Sequence, residues 1–200
     1  MADKRTEATR AKIKRAFTHV MAERGFGRLS VSDVARRADL NRGTVYLHFT
    51  DKYDMLSQFE DELLDNITGI LFDMSCQDAS PSIDAFVPNA NVLASLRYMQ
   101  REIALFQALM GPDGDPRFAE RLKKTLGEHL LAEVSNLPGV KIDIGDIPVA
   151  YAREIALGSI MAIVTLWLNN GAGETPEFIA HVIDVAKRTA PLNLLTTPLG

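Results

Sequence analysis

Cysteine is almost missing from this 200-residue chain: a lone Cys76 excludes an intrachain disulfide and, with no His or Cys neighbour at metal spacing, reads as a plain thiol. The four histidines are scattered, and there is no phosphate loop, no G-x-S-x-G elbow and no convincing triad, so the sequence predicts neither an enzyme nor a cofactor. A catalyst would have to be assembled wholly by tertiary structure. No run approaches the roughly 18 apolar residues of a membrane span, and the basic N-terminus lacks the apolar stretch of a secretory signal. The expectation is a cytoplasmic protein with no membrane partner. Strand-like alternation, internal repeats and low-complexity tracts are also missing.

What is present is the composition of a globular protein, 46% hydrophobic and 24% charged, in a length that suits one sizeable core or a small head on a larger body. The net charge of −4 conceals a split: residues 1–52 hold 12 Lys and Arg against 6 Asp and Glu, residues 53–200 hold 10 against 20. A basic head suits phosphates and an acidic body does not.

Periodicity and punctuation place the helices. Ile13, Ala16, Phe17, Val20 and Met21 form the stripe of an amphipathic helix over residues 6–24, which Gly25 stops in a left-handed conformation with Phe26 folding back. Ser30 with Asp33 is a capping-box-like start for a short helix ending at Ala38. Asp39, Leu40 and Asn41 turn the chain, Asn41 caps a third helix over residues 42–49, and Thr50 or Asp51 caps a fourth running to about Ser75. Residues 78–88 read as a loop. Further helices are expected over residues 91–110, closed by Gly111 and Pro112; from Asp115 and Pro116 to just before Pro138 and Gly139; from Asp146 and Pro148 to Asn170 and Gly171; and from Thr175 and Pro176 to Pro191, followed by a loose tail.

Two short helices joined by a three-residue turn are the arrangement of a helix-turn-helix, whose second helix lies in the DNA major groove. In helix 42–49 Val45 and Phe49 share a face suited to the core, which leaves Gly43, Thr44, Leu47 and His48 outside. Gly43, a poor helix former, fits close approach of a partner. Thr44 and Leu47 suit thymine methyl groups and His48 a phosphate or base; Arg42, Tyr46 and Lys52 have the reach and donors for phosphates. Tyr46 as a core or capping residue, His48 as merely exposed, and Arg36 and Arg37 as a solvated face stand as alternatives.

The run L-S-V-S-D-V-A-R-R-A-D-L-N-R-G-T-V-Y-L-H-F-T-D-K-Y-D-M-L, residues 29–56, preceded by a helix ending in E-R-G-F, resembles the DNA-binding signature of the TetR/AcrR family of regulators. The match covers about the first 56 residues; Asp39 departs from it, standing where the family usually has glycine. The resemblance implies an all-α protein, with a three-helix helix-turn-helix domain over residues 1–52 and a helical ligand-binding and dimerisation domain over residues 53–200. It implies DNA contacts at Thr44, Tyr46, His48 and Lys52, to which Ser32, Arg42, Gly43 and Leu47 are added as candidates. It also implies a homodimer that binds palindromic operator DNA, and repression relieved by a small-molecule inducer.

The segment from Pro148 to Asn170 is apolar nearly all round, so it is expected to be buried on two sides, the second by another subunit, with Ala156, Gly158, Ser159 and Ala162 permitting close approach. The last helix offers a second apolar stripe. The stretches G-D-P-R-F and W-L-N-N-G resemble one C-terminal subtype of the family. Candidate ligand-pocket residues are Tyr98, Met99, Arg101, Phe106, His129 and Trp167; Arg97 and Arg101, four apart, suit an anionic ligand or pairing with Glu102. The alternative is a helix-turn-helix regulator or coactivator controlled by a protein partner with no small ligand.

Overall fold

The stripe of Ile13, Phe17, Val20 and Met21 is buried along α1 (Ala2–Arg28) in a computed structural model that describes residues 2–73, 87–135 and 147–188. Gly25 breaks that helix as expected, but at φ 74°, ψ 160°, a positive φ outside the left-handed helical region. The reason is tertiary. The Phe26 amide donates to the Asp113 carbonyl at 3.0 Å, and a Cβ on residue 25 would lie 2.8 Å from that of Asp113.

The short helices follow their caps. In α2 (Val31–Ala38) the Ser30 hydroxyl accepts from the Asp33 amide, and Asp39 takes the left-handed conformation at φ 53°, so aspartate holds the turn where glycine is usual. In α3 (Arg42–Tyr46) the Asn41 side chain accepts from the Gly43 amide. This helix is shorter than the expected 42–49, because its last turn tightens: the amides of His48 and Phe49 both donate to the Val45 carbonyl at 3.0 Å. Asp51 caps α4 (Lys52–Leu71), accepting from the amides of Tyr53 and Asp54 at 2.8 Å.

The helix expected over residues 91–110 is two, α5 (Asn89–Arg101) and α6 (Ile103–Met110). No glycine or proline announces the break at Glu102. Its carbonyl accepts from Leu105 and Phe106 to start α6, while its carboxylate pairs with Lys14 at 2.9 Å. Then follow α7 (Phe118–Ser135), α8 (Val149–Asn169) and α9 (Pro176–Arg188). The Asp115 carboxylate does cap, accepting from the Arg117 amide, but regular helix begins only at Phe118. Asn170 and Gly171 end α8, and Thr175 Oγ1 accepts from Phe178 to start α9. Cys76, most of the loop at 78–88, Ser75, Pro138, Gly139, Asp146 and Pro191 lie outside the described residues. The fold is all-α, an N-terminal helix-turn-helix domain followed by a helical C-terminal domain.

Packing divides the chain into two compact units. The first is Met1–Asp65 with Glu102–Ala119, the second Asn66–Arg101 with Glu120–Gly200. The first closes on Phe17, Phe49 and Phe59, whose ring centroids pack at 5.2 Å, and on Phe106 against Phe118 at 6.0 Å. Arg10 lies over Phe49 and Phe59 and donates to Gln58 and Glu62. Lys14 bridges Glu62 at 2.8 Å and Glu102 at 2.9 Å. Burial raises the Glu62 carboxyl, but the Lys14 ammonium and Arg10 guanidinium outweigh it and hold its pKa below the ordinary value.

In the second unit α9 packs on α5 and α8. Arg97 pairs with Glu177 at 2.8 Å and Asn89 donates to Asp184 at 2.9 Å, while Lys123 of α7 pairs with Glu154 of α8. The Trp167 indole N–H donates to the Glu174 carbonyl at 2.9 Å, which fastens the turn after α8. Within this unit α8 is buried on one side only: Tyr151, Ile155 and Leu166 are 67%, 60% and 63% exposed. Contrary to the sequence expectation, the stretch Ala150–Asn169 is long and apolar enough to cross a membrane by length and composition. Arg153 and Glu154 are its only charges, too few to offset so many aliphatic side chains.

Candidate functional site

The α2–α3 pair is positioned from beneath. Val34, Ala35, Val45 and Phe49 are buried, so the inner faces are spent on the core and the register of the outer face follows. Tyr46 is 48% and Leu47 85% exposed; Arg42 and Gly43 are exposed, and Ser32, Thr44 and His48 are half-buried beside them. These candidates therefore gather on one surface of the first unit. An exposed leucine gains nothing from water, and the α3 amides of Gly43 and Thr44 are already engaged by Asn41, so what this face offers a partner is side-chain chemistry.

Lys52 is placed differently. Its ammonium donates to the carbonyls of Phe26 at 3.1 Å and Gly27 at 3.0 Å and lies 4.8 Å from the Phe26 ring centroid. It thus fastens the end of α1 to the start of α4, and of its three N–H donors two are used there. Arg36 pairs with Asp33 at 2.6 Å and Arg37 with Glu23 at 3.0 Å. The Ser30 hydroxyl, with Arg24 and Arg36, holds the Asp33 carboxyl below its ordinary pKa despite the opposing effect of burial.

The second unit contains a cavity of about 160 Å³. Ile67 and Leu71 come to it from α4, Leu96 and Met99 from α5, Leu122 and Leu126 from α7. Leu157, Ile160 and Val164 of α8 face them, and α9 adds Ile183 and Lys187. Of the sequence candidates only Met99 lines this cavity. Tyr98 is buried, with Arg101 placed over its ring at 5.7 Å. Phe106 belongs to the core of the first unit, against Phe118. His129 is exposed, its ring stacked on Phe72 and its Nδ1 against the Thr125 carbonyl. Trp167 is spent on the Glu174 turn, and Arg97 on Glu177. Sequence reasoning passed over the aliphatic lining because such residues read as core; the apolar circumference of α8 was the available signal.

A capped pair of short helices, with its inner face closed and an outer face of reaching side chains, defines a helix-turn-helix DNA-binding protein. The comparisons name the group: the family model for bacterial regulatory proteins of the tetR family matches residues 14–59, and that for a transcriptional regulator C-terminal region matches residues 88–186. The chain belongs to the TetR family of DNA-binding transcriptional regulators. It is 24% identical over 181 residues to an uncharacterised HTH-type transcriptional regulator, YxbF, of Bacillus subtilis, covering 88% of this chain and 44% of that protein. The chain thus spans less than half the length of that curated relative. Among solved structures, the fatty acid degradation regulator FadR from Bacillus halodurans superposes with a TM-score of 0.63 at 17% identity, over 89% of this chain and 94% of that one. A TetR transcriptional regulator from Streptococcus agalactiae gives 0.60 at 20%, over 91% and 97%. At these identities both establish the fold.

Proposed function

We propose that the protein is a cytoplasmic repressor that binds a palindromic operator as a homodimer and is released by a small-molecule inducer held in residues 53–200, with residues 1–52 as the reading head. The observation that carries the DNA contact is the exposure of Tyr46 and Leu47 above a buried Val45 and Phe49. In this reading Leu47 and Thr44 meet base edges, Gly43 lets the backbone close on the groove, and Ser32, Arg42, Tyr46 and His48 hold phosphates or bases. Lys52 keeps one N–H for a phosphate while its other two secure α1.

The bare face of α8 supports the dimer. Tyr151, Ile155, Ser159, Ala162 and Leu166 recur at helical spacing and all are exposed, as is Phe178 of α9 at 54%. A second copy laid on this stripe would bury it and set two reading heads on half-sites one DNA turn, or a multiple of one, apart. The cavity supports the inducer.

Gel shifts on the upstream intergenic DNA across a salt series, with unrelated DNA as competitor, test the first part. Tyr46→Ala and Leu47→Ala are expected to weaken specific binding by about tenfold or more, with folding unchanged. Binding abolished by competitor in the parent protein would refute the operator reading. Leu166→Glu is expected to give a monomer by light scattering; a dimer in that variant would place the interface elsewhere.

A further inference from the structure

We propose that the cavity of the second unit takes one flexible aliphatic chain bearing a single anionic head group, the chain lying against the wall and the head within reach of the Lys187 ammonium. The inference rests on the reading of this unit as the inducer-binding domain and names the class of ligand.

The chemistry of the lining decides between classes. Of the eighteen described lining residues, fifteen are Ala, Val, Leu, Ile or Met. The Ser95 hydroxyl is committed to the Val92 carbonyl of its own helix at 2.8 Å. A sugar, nucleotide or amino acid would therefore leave its polar atoms without partners, which is costly in an apolar site. Phe72 is the one aromatic ring among the described lining residues, so a planar aromatic ligand finds little there to stack on. Branched aliphatic side chains and the thioethers of Met99 and Met161 adapt to a chain with free rotation about its bonds. A pocket with such walls offers water almost no hydrogen-bond partners and favours apolar guests.

Lys187 supplies the remaining feature. It stands one turn after Ile183 on α9 and is the one charged side chain among the described lining residues. A cation on an otherwise apolar wall favours an anionic group over a cationic or neutral one. It also acts on Asp184, and an ammonium with three N–H donors can serve a second anion beside that carboxylate.

The test is calorimetric titration of the purified full-length protein with decanoate, dodecanoate, tetradecanoate, dodecanol and naphthalene sulfonate, in parallel with gel shifts. Affinity for the carboxylates is expected to rise about fourfold per added methylene until the cavity is full, the equivalent of about 0.8 kcal/mol each. Leu126→Trp, which fills the space, is expected to abolish binding. Lys187→Gln is expected to weaken dodecanoate by about tenfold and leave dodecanol unchanged. Equal loss of dodecanol and dodecanoate in that variant, or none of either, overturns the head-group assignment. Naphthalene sulfonate binding without dodecanoate binding overturns the ligand class and leaves the inducer reading standing. Dodecanoate binding that leaves operator affinity unchanged overturns the inducer reading and leaves the class standing. Absence of binding by all five overturns the ligand class.

Discussion

In the first unit Phe17, Phe49 and Phe59 close a core with ring centroids 5.2 Å apart under the Arg10 guanidinium; in the second, aliphatic side chains surround about 160 Å³ of unfilled space. Rings packed at a tilt of 57–58° and a lysine shared by two glutamates admit one arrangement. Leucines and methionines around a void admit several. The contrast suits the roles proposed above, a head that presents Tyr46 and Leu47 in a fixed register and a body that responds to its contents. It teaches that rigidity and adaptability here come from side-chain type, since the regular structure among the described residues of both units is helical.

The contrast breaks most sharply at Phe49. Phe49→Ala is expected to cost about 3–5 kcal/mol in chemical denaturation, with loss of DNA binding; a cost under about 1 kcal/mol would show that the head is not closed around this ring. Paired enlargements sharpen it. Val45→Ile in the filled unit is expected to destabilise by about 1–3 kcal/mol, whereas Val92→Ile, on the cavity wall, should change stability by less than about 0.5 kcal/mol. Equal costs would mean that the second unit is as tightly filled as the first.

At the end of α1, Gly25→Ala meets both a positive φ and the Asp113 side chain, for an expected cost of about 1–2 kcal/mol. Gly27→Ala, with nothing within 4 Å of its added carbon, is the control that should be near neutral. The smallest effect is acid sensitivity. A carboxyl whose folded pKa is depressed lends stability above its unfolded value, and that stability is lost as pH falls through the folded one. Glu62 therefore helps hold the first unit at neutral pH, and its contribution fades below its ordinary value of 4.5. Urea midpoints measured from pH 7 downward should fall less steeply in Glu62→Gln; an unchanged slope would assign acid sensitivity to other carboxyls.

Local signals were legible in the sequence and tertiary ones were not. Ser30, Asn41, Asp51 and Thr175 act within four residues of themselves, so their caps were readable from spacing alone. Glu102, where the helix breaks, pairs with Lys14, nearly ninety residues earlier in the chain, and no local residue type marks the break. The exposed face of α2 and α3 was legible because these helices are fixed by their caps and by Val45 and Phe49. The cavity was not. Tyr98, Arg101 and His129 stand out in the sequence for their functional groups, while the wall is made of residues whose sequence pattern is identical whether they enclose packed atoms or space.

The Trp167–Glu174 hydrogen bond also provides an optical readout. Trp167 is the chain's one tryptophan and is 1% exposed, so its emission should be blue-shifted while α8 and the following turn remain in place. Opening of the second unit would move that emission to the red, whereas fraying of the reading head would leave it where it was. The protein therefore carries a native fluorophore that reports on one of its two units without any label.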